Sequence, residues 1–172
     1  MAKKPVLGWW FCDPDASGVV RLPHRDGRVV KVGETLKVEG KIVSCERGLH
    51  ASIRAIDALK YAPGSTVCRV RLGGTIVKAD DKVAASERTV LWMVDAGTTL
   101  RLFACDCDDA ALHAERKAGR EPDPRTWEAV RVGRLFAIGK ASEAERSAAE
   151  SAAWSAQNKI LTKALLALGD KS

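Results

Sequence analysis

The sequence lacks any long apolar segment. A membrane-spanning helix needs a run of about 18–20 apolar residues, and none occurs in the 172 residues. The basic start at Lys3 and Lys4 is followed by a short apolar run that Gly8 interrupts, so no secretory signal peptide is expected. We therefore predict a cytoplasmic protein.

Metal-ligand patterns and phosphate-binding loops are also missing. The five cysteines are an odd set without the C-x₂₋₄-C pairs of a structural zinc site, since Cys105 and Cys107 have one residue between them. Cys12, Cys45 and Cys68 stand in apolar, strand-like contexts that are typical of buried free thiols. We predict no metal site. Gly73-Gly74 is too short for a glycine-rich phosphate cradle.

What the chain does have is an ordinary globular composition with a modest basic charge. Its 46% hydrophobic and 29% charged residues are typical of a soluble protein large enough to bury a core. The net charge of +6 is compatible with a nucleic-acid or acidic-protein partner and requires neither.

Short β-prone runs fill the first half. The runs at 19–22 and 28–32 flank an Asp-Gly step that is typical of a hairpin turn. Other strands are predicted at 6–11, 36–38, 42–44, 66–72, 75–78 and 89–94. Alternation of apolar and polar residues in two of these runs indicates that one face of the sheet is solvated.

Helical signals dominate the second half. A first short helix is predicted from Ser52, a good N-cap, to Tyr61. Longer helices follow at 99–118 and 125–138, and Ser142 with Glu145 forms a capping box before an alanine-rich helix. We predict an α+β core domain (1–138), with a bent antiparallel sheet and a helical second half packed on it. The last helix (139–172) packs on the core or, through residues 143–168, in an oligomer.

His50 is the candidate reactive or ligand-contacting side chain. It follows Gly48 at a predicted strand-to-helix junction. To act as an acid or base near neutral pH it needs a carboxylate partner, for which Glu46, Asp57 and Asp81 are candidates. The alternative is a half-buried structural histidine that bonds the backbone, and the sequence leaves both open.

Adjacent tryptophans and a basic hairpin form a second candidate surface. Because successive strand residues face opposite ways, one of Trp9 and Trp10 is expected in the core and the other exposed, where it stacks on a base or anchors a protein. Arg21, Arg25 and Arg28 on the hairpin either contact phosphates or protect an edge strand.

Several motifs resemble a family of uncharacterised proteins encoded by bacteriophages and prophages. They are Cys45-Glu46-Arg47-Gly48-Leu49-His50-Ala51-Ser52, Lys60-Tyr61-Ala62-Pro63-Gly64, Arg69-Val70-Arg71-Leu72-Gly73-Gly74, Asp81-Lys82 and the Ala/Trp-rich stretch 152–159. The resemblance implies a phage or mobile-element origin, and hence the cytoplasm of a host cell.

Residues 46–78 also resemble the core of ADP-ribosyltransferases, with Gly48-Leu49-His50-Ala51-Ser52, a short helix ending at Tyr61 and a strand ending at Gly73. The resemblance implies NAD as cofactor, with His50 in the place of the aromatic residue that stacks on nicotinamide. Ser52 falls at the start of the following helix. Glu87, in a predicted polar loop, is the nearest candidate for the catalytic glutamate.

Three functions follow from these patterns. The first is a phage-type accessory protein, without a cofactor, that binds a host or phage macromolecule, with a protein partner favoured. The second is an NAD-dependent ADP-ribosyltransferase-like enzyme that uses His50 and Glu87, and the third is a nucleic-acid-binding protein. The candidate binding residues are Trp9, Trp10, Arg21, Arg25, Arg28, Ser52 and Tyr61.

Overall fold

The computed structural model describes residues 5–22 and 27–169, without the side chains of residues 164 and 167–169. The chain divides into two compact units, one up to Ala96 and the other from Gly97. The first contains the sheet and the second three helices, which confirms the predicted α+β class. The predicted domain boundary at 138/139 lies inside the second unit.

Five strands form one antiparallel sheet in the described part of the first unit. They are β1 (Val6–Cys12), β2 (Thr35–Lys37), β3 (Leu49–Ala51), β4 (Thr66–Lys78) and β5 (Val83–Asp95). Their order is β1-β4-β5-β2, and β3 also pairs with β5. Strands β2 and β3 pair with successive parts of β5, since Lys37 lies opposite Glu87 and Leu49 lies opposite Ala85.

The sheet bends until β1 meets the end of β3. Trp9 N–H donates to the Ser52 carbonyl at 2.7 Å, and Ser52 N–H donates to the Trp9 carbonyl at 2.9 Å. This two-bond seam closes the path β1-β4-β5-β3. A bulge between Gly73 and Ile76 lies in β4, and bulges of this kind bend the strand that carries them.

The concave side of this sheet holds a tightly packed core. Leu72, Val70, Val90 and Cys68 are completely or almost completely buried there, and burial of each such aliphatic side chain contributes about 1.5–3 kcal/mol. Cys12 and Cys68 are buried, as predicted.

Cys45 is exposed, contrary to prediction. It lies in the turn before β3 and not in a strand, so its apolar sequence neighbours do not enclose it.

The segment around Ser52 also departs from the predicted helix start. Helix α1 spans Ala55–Leu59, its N-cap is Arg54, and no side chain caps it. Ser52 is buried, and its backbone pairs with Trp9 at the seam. The predicted capping role of Ser52 is therefore wrong, because long-range strand pairing uses its backbone.

Two predicted interruptions of the strands are absent from the described residues. The runs at 66–72 and 75–78 are one strand, β4, and residues 84–88, predicted as a polar loop, lie inside β5. Glu87 is thus a strand residue.

The predicted hairpin at 19–32 consists of isolated contacts. Leu22 N–H donates to Arg28 O at 3.0 Å, and Val30 N–H donates to Val20 O at 2.9 Å. Its turn, including His24 and Arg25, lies outside the described residues. The predicted strand at 42–44 is a turn in which Val43 bridges to Arg47.

The second unit contains α2 (Gly97–Lys117), α3 (Pro124–Ala137) and α4 (Glu143–Gly169), with α3 packed against both others. The predicted capping box is present, since the Ser142 N–H and hydroxyl each donate to Glu145 Oε2 at 2.7 Å. Ala153 and Ala156 are buried, as the alanine face predicted. Among the described residues, no helix has the length and apolar character to cross a membrane.

Candidate functional site

A cavity of about 270 Å³ opens beside His50. We call it the His50 cavity. Its lining residues come from β1, the turn before β3, β3, the region of α1 and the residue before β5: Trp9, Trp10, Phe11, Cys45, His50, Ala51, Ser52, Ala58, Tyr61 and Lys82. Five residues that the sequence singled out therefore converge here, namely Trp9, Trp10, His50, Ser52 and Tyr61.

Strand alternation explains which side chains face the cavity. Leu49 and Ala51 belong to the interior core, so His50 between them projects from the opposite face of β3. In β1, Trp10 packs against the interior core, as expected for one of the two tryptophans. Phe11 faces the other way and is buried where α1 packs on β1.

The backbone of the preceding turn holds the imidazole of His50. Cys45 N–H donates to His50 Nε2 at 3.2 Å. Cys45 has a φ of 69°, a left-handed conformation that costs a non-glycine residue about 1–2 kcal/mol. In this arrangement His50 Nε2 accepts the hydrogen bond, which fixes the orientation of the ring.

Two of the three predicted carboxylate partners of His50, Asp57 and Asp81, have other contacts, and a pairing with Glu46 stays a prediction. Asp57 is buried and accepts two hydrogen bonds from Arg54 at 2.6 and 2.8 Å, which hold the pKa of Asp57 below its usual value. Asp81 accepts a hydrogen bond from the Tyr61 hydroxyl at 2.8 Å. Both pairs therefore fix the position of α1 and Tyr61 at the cavity.

Lys82 and Tyr61 form a cationic and aromatic mouth to the cavity. Lys82 Nζ lies 4.2 Å from the centroid of the Tyr61 ring. The pKa of Lys82 is raised, chiefly by the Tyr61 hydroxyl; burial opposes this increase, and the thiol of Cys45 adds a smaller contribution to it. Lys82 is therefore charged at neutral pH, and the mouth favours an anion.

A buried arginine joins three strands behind the cavity. Arg88 of β5 is 3% exposed, and its Nη1 donates to the His50 carbonyl at 2.8 Å. Its guanidinium carbon lies 3.7 Å from the centroid of the Trp10 ring. Among the described residues, Nε and Nη2 of Arg88 find no hydrogen-bond partner, and burial lowers the pKa of Arg88 to about 10. Arg88 thus holds two residues of the cavity.

Cys45, Lys82 and Arg88 were not identified from the sequence as site residues. Cys45 and Lys82 occur in the quoted motifs, but no spacing rule connects them with His50. They meet because Val83, which follows Lys82, pairs with Ala51. The sequence signal that could have identified Arg88 was its position two residues before the apolar Val90. In a strand, this spacing places both side chains on the same face of the sheet.

Glu87 does not reach the His50 cavity. Its carboxylate pairs with Lys37 Nζ at 2.9 Å, and it lines a separate cavity of about 220 Å³ together with Arg71 and Gly73. The structure therefore does not bring the two proposed catalytic residues into one cavity.

Arg21 and Arg28 of the hairpin also lie outside the lining of the His50 cavity. Arg21 pairs with Asp15 at 3.5 Å, and Arg28 Nη1 donates to the Lys37 carbonyl at 2.9 Å. Arg25 lies outside the described residues. The side chains of Arg21 and Arg28 therefore make contacts within the first unit.

An aromatic and cationic surface crosses the three strands β1, β4 and β5. The rings of Trp9 and Trp92 meet edge to face at 5.8 Å, and Arg69 lies 4.5 Å from the Trp9 centroid. Leu7 and Val94 on the same strands are 44% and 53% exposed. We call these five residues the Trp9–Trp92 face.

The geometry defines a small α+β domain with a ligand-sized cavity on a strongly bent antiparallel sheet. The chain belongs to the family described as Domain of unknown function (DUF7666), which matches residues 12–102. The match includes Cys45, His50, Lys82 and Arg88, whereas Trp9 and Trp10 precede it. Neither a curated protein nor a solved structure matches the chain.

Proposed function

We propose that this domain binds a small ligand in the His50 cavity, and that the ligand combines a flat ring with an anionic group, as nucleotides do. The observation that carries the proposal is the convergence of Trp9, His50, Tyr61 and Lys82 on one cavity. Aromatic side chains bind flat rings, and a few placed polar or charged groups fix a ligand's orientation.

The size of the cavity limits what it holds. Its volume of about 270 Å³ is slightly below the ~300 Å³ at which pockets for drug-sized ligands begin. It therefore suits a single ring with its nearest substituent, and the phosphates of a nucleotide extend past Lys82. NAD, which the local resemblance to ADP-ribosyltransferases implies, is the first ligand to test.

The proposal covers binding and leaves out group transfer. Glu87, the candidate catalytic glutamate, pairs with Lys37 at the other cavity. A phage or prophage origin stays a prediction from the sequence motifs.

We expect NAD to raise the thermal unfolding temperature of the protein in a concentration-dependent way. Ligand at about 100 times its Kd stabilises the folded state by about 2.7 kcal/mol, which corresponds to several degrees for a protein of this size. His50→Ala and Lys82→Met should each remove most of the shift, because they remove the ring contact and the cation.

The matched control is His113→Ala, which changes an exposed histidine of α2 in the other unit. It should keep the full shift. Nicotinamide, AMP and ADP-ribose, tested in parallel, identify which ring enters the cavity. Equal shifts in wild type and His50→Ala, or no shift with any of the four ligands, would contradict the proposal.

The Trp9–Trp92 face supports a second candidate function, which is the binding of a protein partner. Tryptophan and arginine are the residues most enriched among energetically dominant interface positions. Because Arg69 gives this face a positive charge, and Arg71 lies two residues further along β4, the partner is expected to present carboxylates among apolar side chains.

We expect Trp92→Ala to weaken binding to acidic, leucine-containing peptides by tenfold or more, since an interface tryptophan often contributes about 2 kcal/mol or more. Fluorescence anisotropy against a peptide series that varies the number of glutamates measures this. The control is Trp154→Ala, which removes a tryptophan that is 75% exposed on α4. Equal losses from the two variants, or affinity independent of peptide charge, would rule out this face.

A further inference from the structure

We propose that Cys45 is a nucleophilic thiol that bonds covalently to anionic electrophiles entering the His50 cavity, with Lys82 attracting the anion. The inference deepens the proposed function, because it rests on that cavity being a ligand site. It adds a reactive atom and a chemical class of reactant to the site.

The position of Cys45 in the cavity is the first support. Its side chain is exposed and lines the cavity, so a reactant can reach the sulfur. The turn keeps Cys45 at a φ of 69°, where glycine or asparagine is more usual. Its N–H is bound to His50 Nε2 at 3.2 Å, so the thiol residue and the imidazole are held together.

The neighbouring charge is the second support. Cys45 and Lys82 line the same cavity, and the thiol is one of the groups that favour the charged form of Lys82. The same ammonium group raises the local concentration of anionic reactants.

The other cysteines supply an internal comparison. Cys12, Cys68 and Cys105 are buried, whereas Cys107 on α2 is exposed like Cys45. The sequence places Asp106 and Asp108 on either side of Cys107, and carboxylates repel anionic reactants. Cys45 and Cys107 are therefore two exposed thiols in surroundings of opposite charge.

The covalent step is a nucleophilic substitution. The thiol proton passes to solvent, and the sulfur attacks the electrophilic carbon. A sulfur–carbon bond forms as the bond from that carbon to its leaving group breaks, and the leaving group departs with the electron pair. With iodoacetate the leaving group is iodide and the product is S-carboxymethylcysteine, so no oxidant or other co-reactant is needed.

The experiment compares anionic iodoacetate with neutral iodoacetamide on the folded full-length protein. Peptide mass spectrometry measures the modification rates of Cys45 and Cys107. We expect iodoacetate to modify Cys45 at least about tenfold faster than Cys107 at low salt, with a smaller difference for iodoacetamide and a loss of the bias as salt screens the charge. Lys82→Met should remove the preference for iodoacetate, whereas Lys117→Met in α2 should leave it intact.

The outcomes separate this inference from the proposed function. Equal modification rates at Cys45 and Cys107, or an iodoacetate preference that survives Lys82→Met, would contradict the proposal that Cys45 is the nucleophile. Either result would leave the proposed stabilisation by NAD untouched. Fast, Lys82-dependent carboxymethylation without any nucleotide-induced shift would overturn nucleotide binding and support a reactive site for other anions. Bound NAD should slow the modification of Cys45, because both occupy the same cavity.

Discussion

Arg88→Lys is expected to destabilise the first unit by about 3–4 kcal/mol, whereas Arg88→Met should leave its stability unchanged or higher. The guanidinium of Arg88 is 3% exposed, stacks on Trp10 and bonds the His50 carbonyl. A lysine at this position has a compact, strongly hydrated charge that cannot stack as a plane. The free-energy cost of burying this lysine cannot exceed about 4–5 kcal/mol at pH 7, because the lysine can lose its proton and be buried in its neutral form.

Methionine is the informative partner substitution because the contributions of Arg88 nearly cancel. Its charged hydrogen bond contributes about 1.5–3 kcal/mol and the stacking on Trp10 about 2 kcal/mol. Against these stand a desolvation penalty of several kcal/mol and about 1–3 kcal/mol for each buried N–H without a partner. Methionine removes both the favourable and the unfavourable contributions of Arg88, and its unbranched apolar side chain fills a similar space.

Urea unfolding followed by tryptophan fluorescence measures both variants, with the m-value showing whether the transition is preserved. A methionine variant that loses as much stability as the lysine variant would show that the charge itself stabilises the fold. If the methionine variant is instead stable and responds more weakly to NAD, Arg88 acts as a positioning residue for His50 and Trp10.

The elements that the sequence predicts well are those fixed by local signals. The capping box of Ser142 and Glu145 spans four residues and appears in the structure as predicted. Ser52 carries the same kind of N-cap signal, but its backbone pairs with Trp9, which is distant in sequence. Tertiary pairing overrides the local preference there.

Strand β5 also shows that local sequence signals are insufficient, in this case because a strand forms where the sequence predicts a loop. Its segment Ala84 to Arg88 has weak β propensity and reads as polar. In the structure Ala84 pairs with His50 on one side and Val77 on the other. Strand preference depends on such neighbours more than on the residue type, so a single sequence does not reveal it.

The candidate site was predictable to the extent that it lies along one segment of chain. Gly48 and the following strand-to-helix step identify His50 and lead on to Tyr61. Lys82 is placed at the cavity only by the register between β3 and β5. A slip of one residue in that register would turn every side chain of the strand to the other face. The contribution of Lys82 to the cavity therefore could not be predicted from the sequence.

Gly48→Ala is expected to cost about 3–5 kcal/mol, more than Gly33→Ala at about 1–2 kcal/mol. Both glycines have positive φ, 153° and 84°, so the two substitutions share a backbone penalty. An added Cβ at Gly33 has no atom within 4 Å, whereas at Gly48 it lies 2.9 Å from Ala84 Cβ. Ala84 is completely buried, and its Cβ moves only with β5.

The double variant Gly48→Ala/Ala84→Gly isolates that contact. Removing the Ala84 methyl opens the space, although glycine within a strand itself costs about 0.5–1 kcal/mol. We expect a favourable coupling energy of about 1–3 kcal/mol in a double-mutant cycle measured by urea unfolding. Zero coupling, with Gly48→Ala no worse than Gly33→Ala, would mean that β3 moves away from β5 to admit the methyl. His50, which lies in β3 two residues after Gly48, would then be displaced as well, so the NAD-induced thermal shift of the same variant reports whether the cavity tolerates that movement.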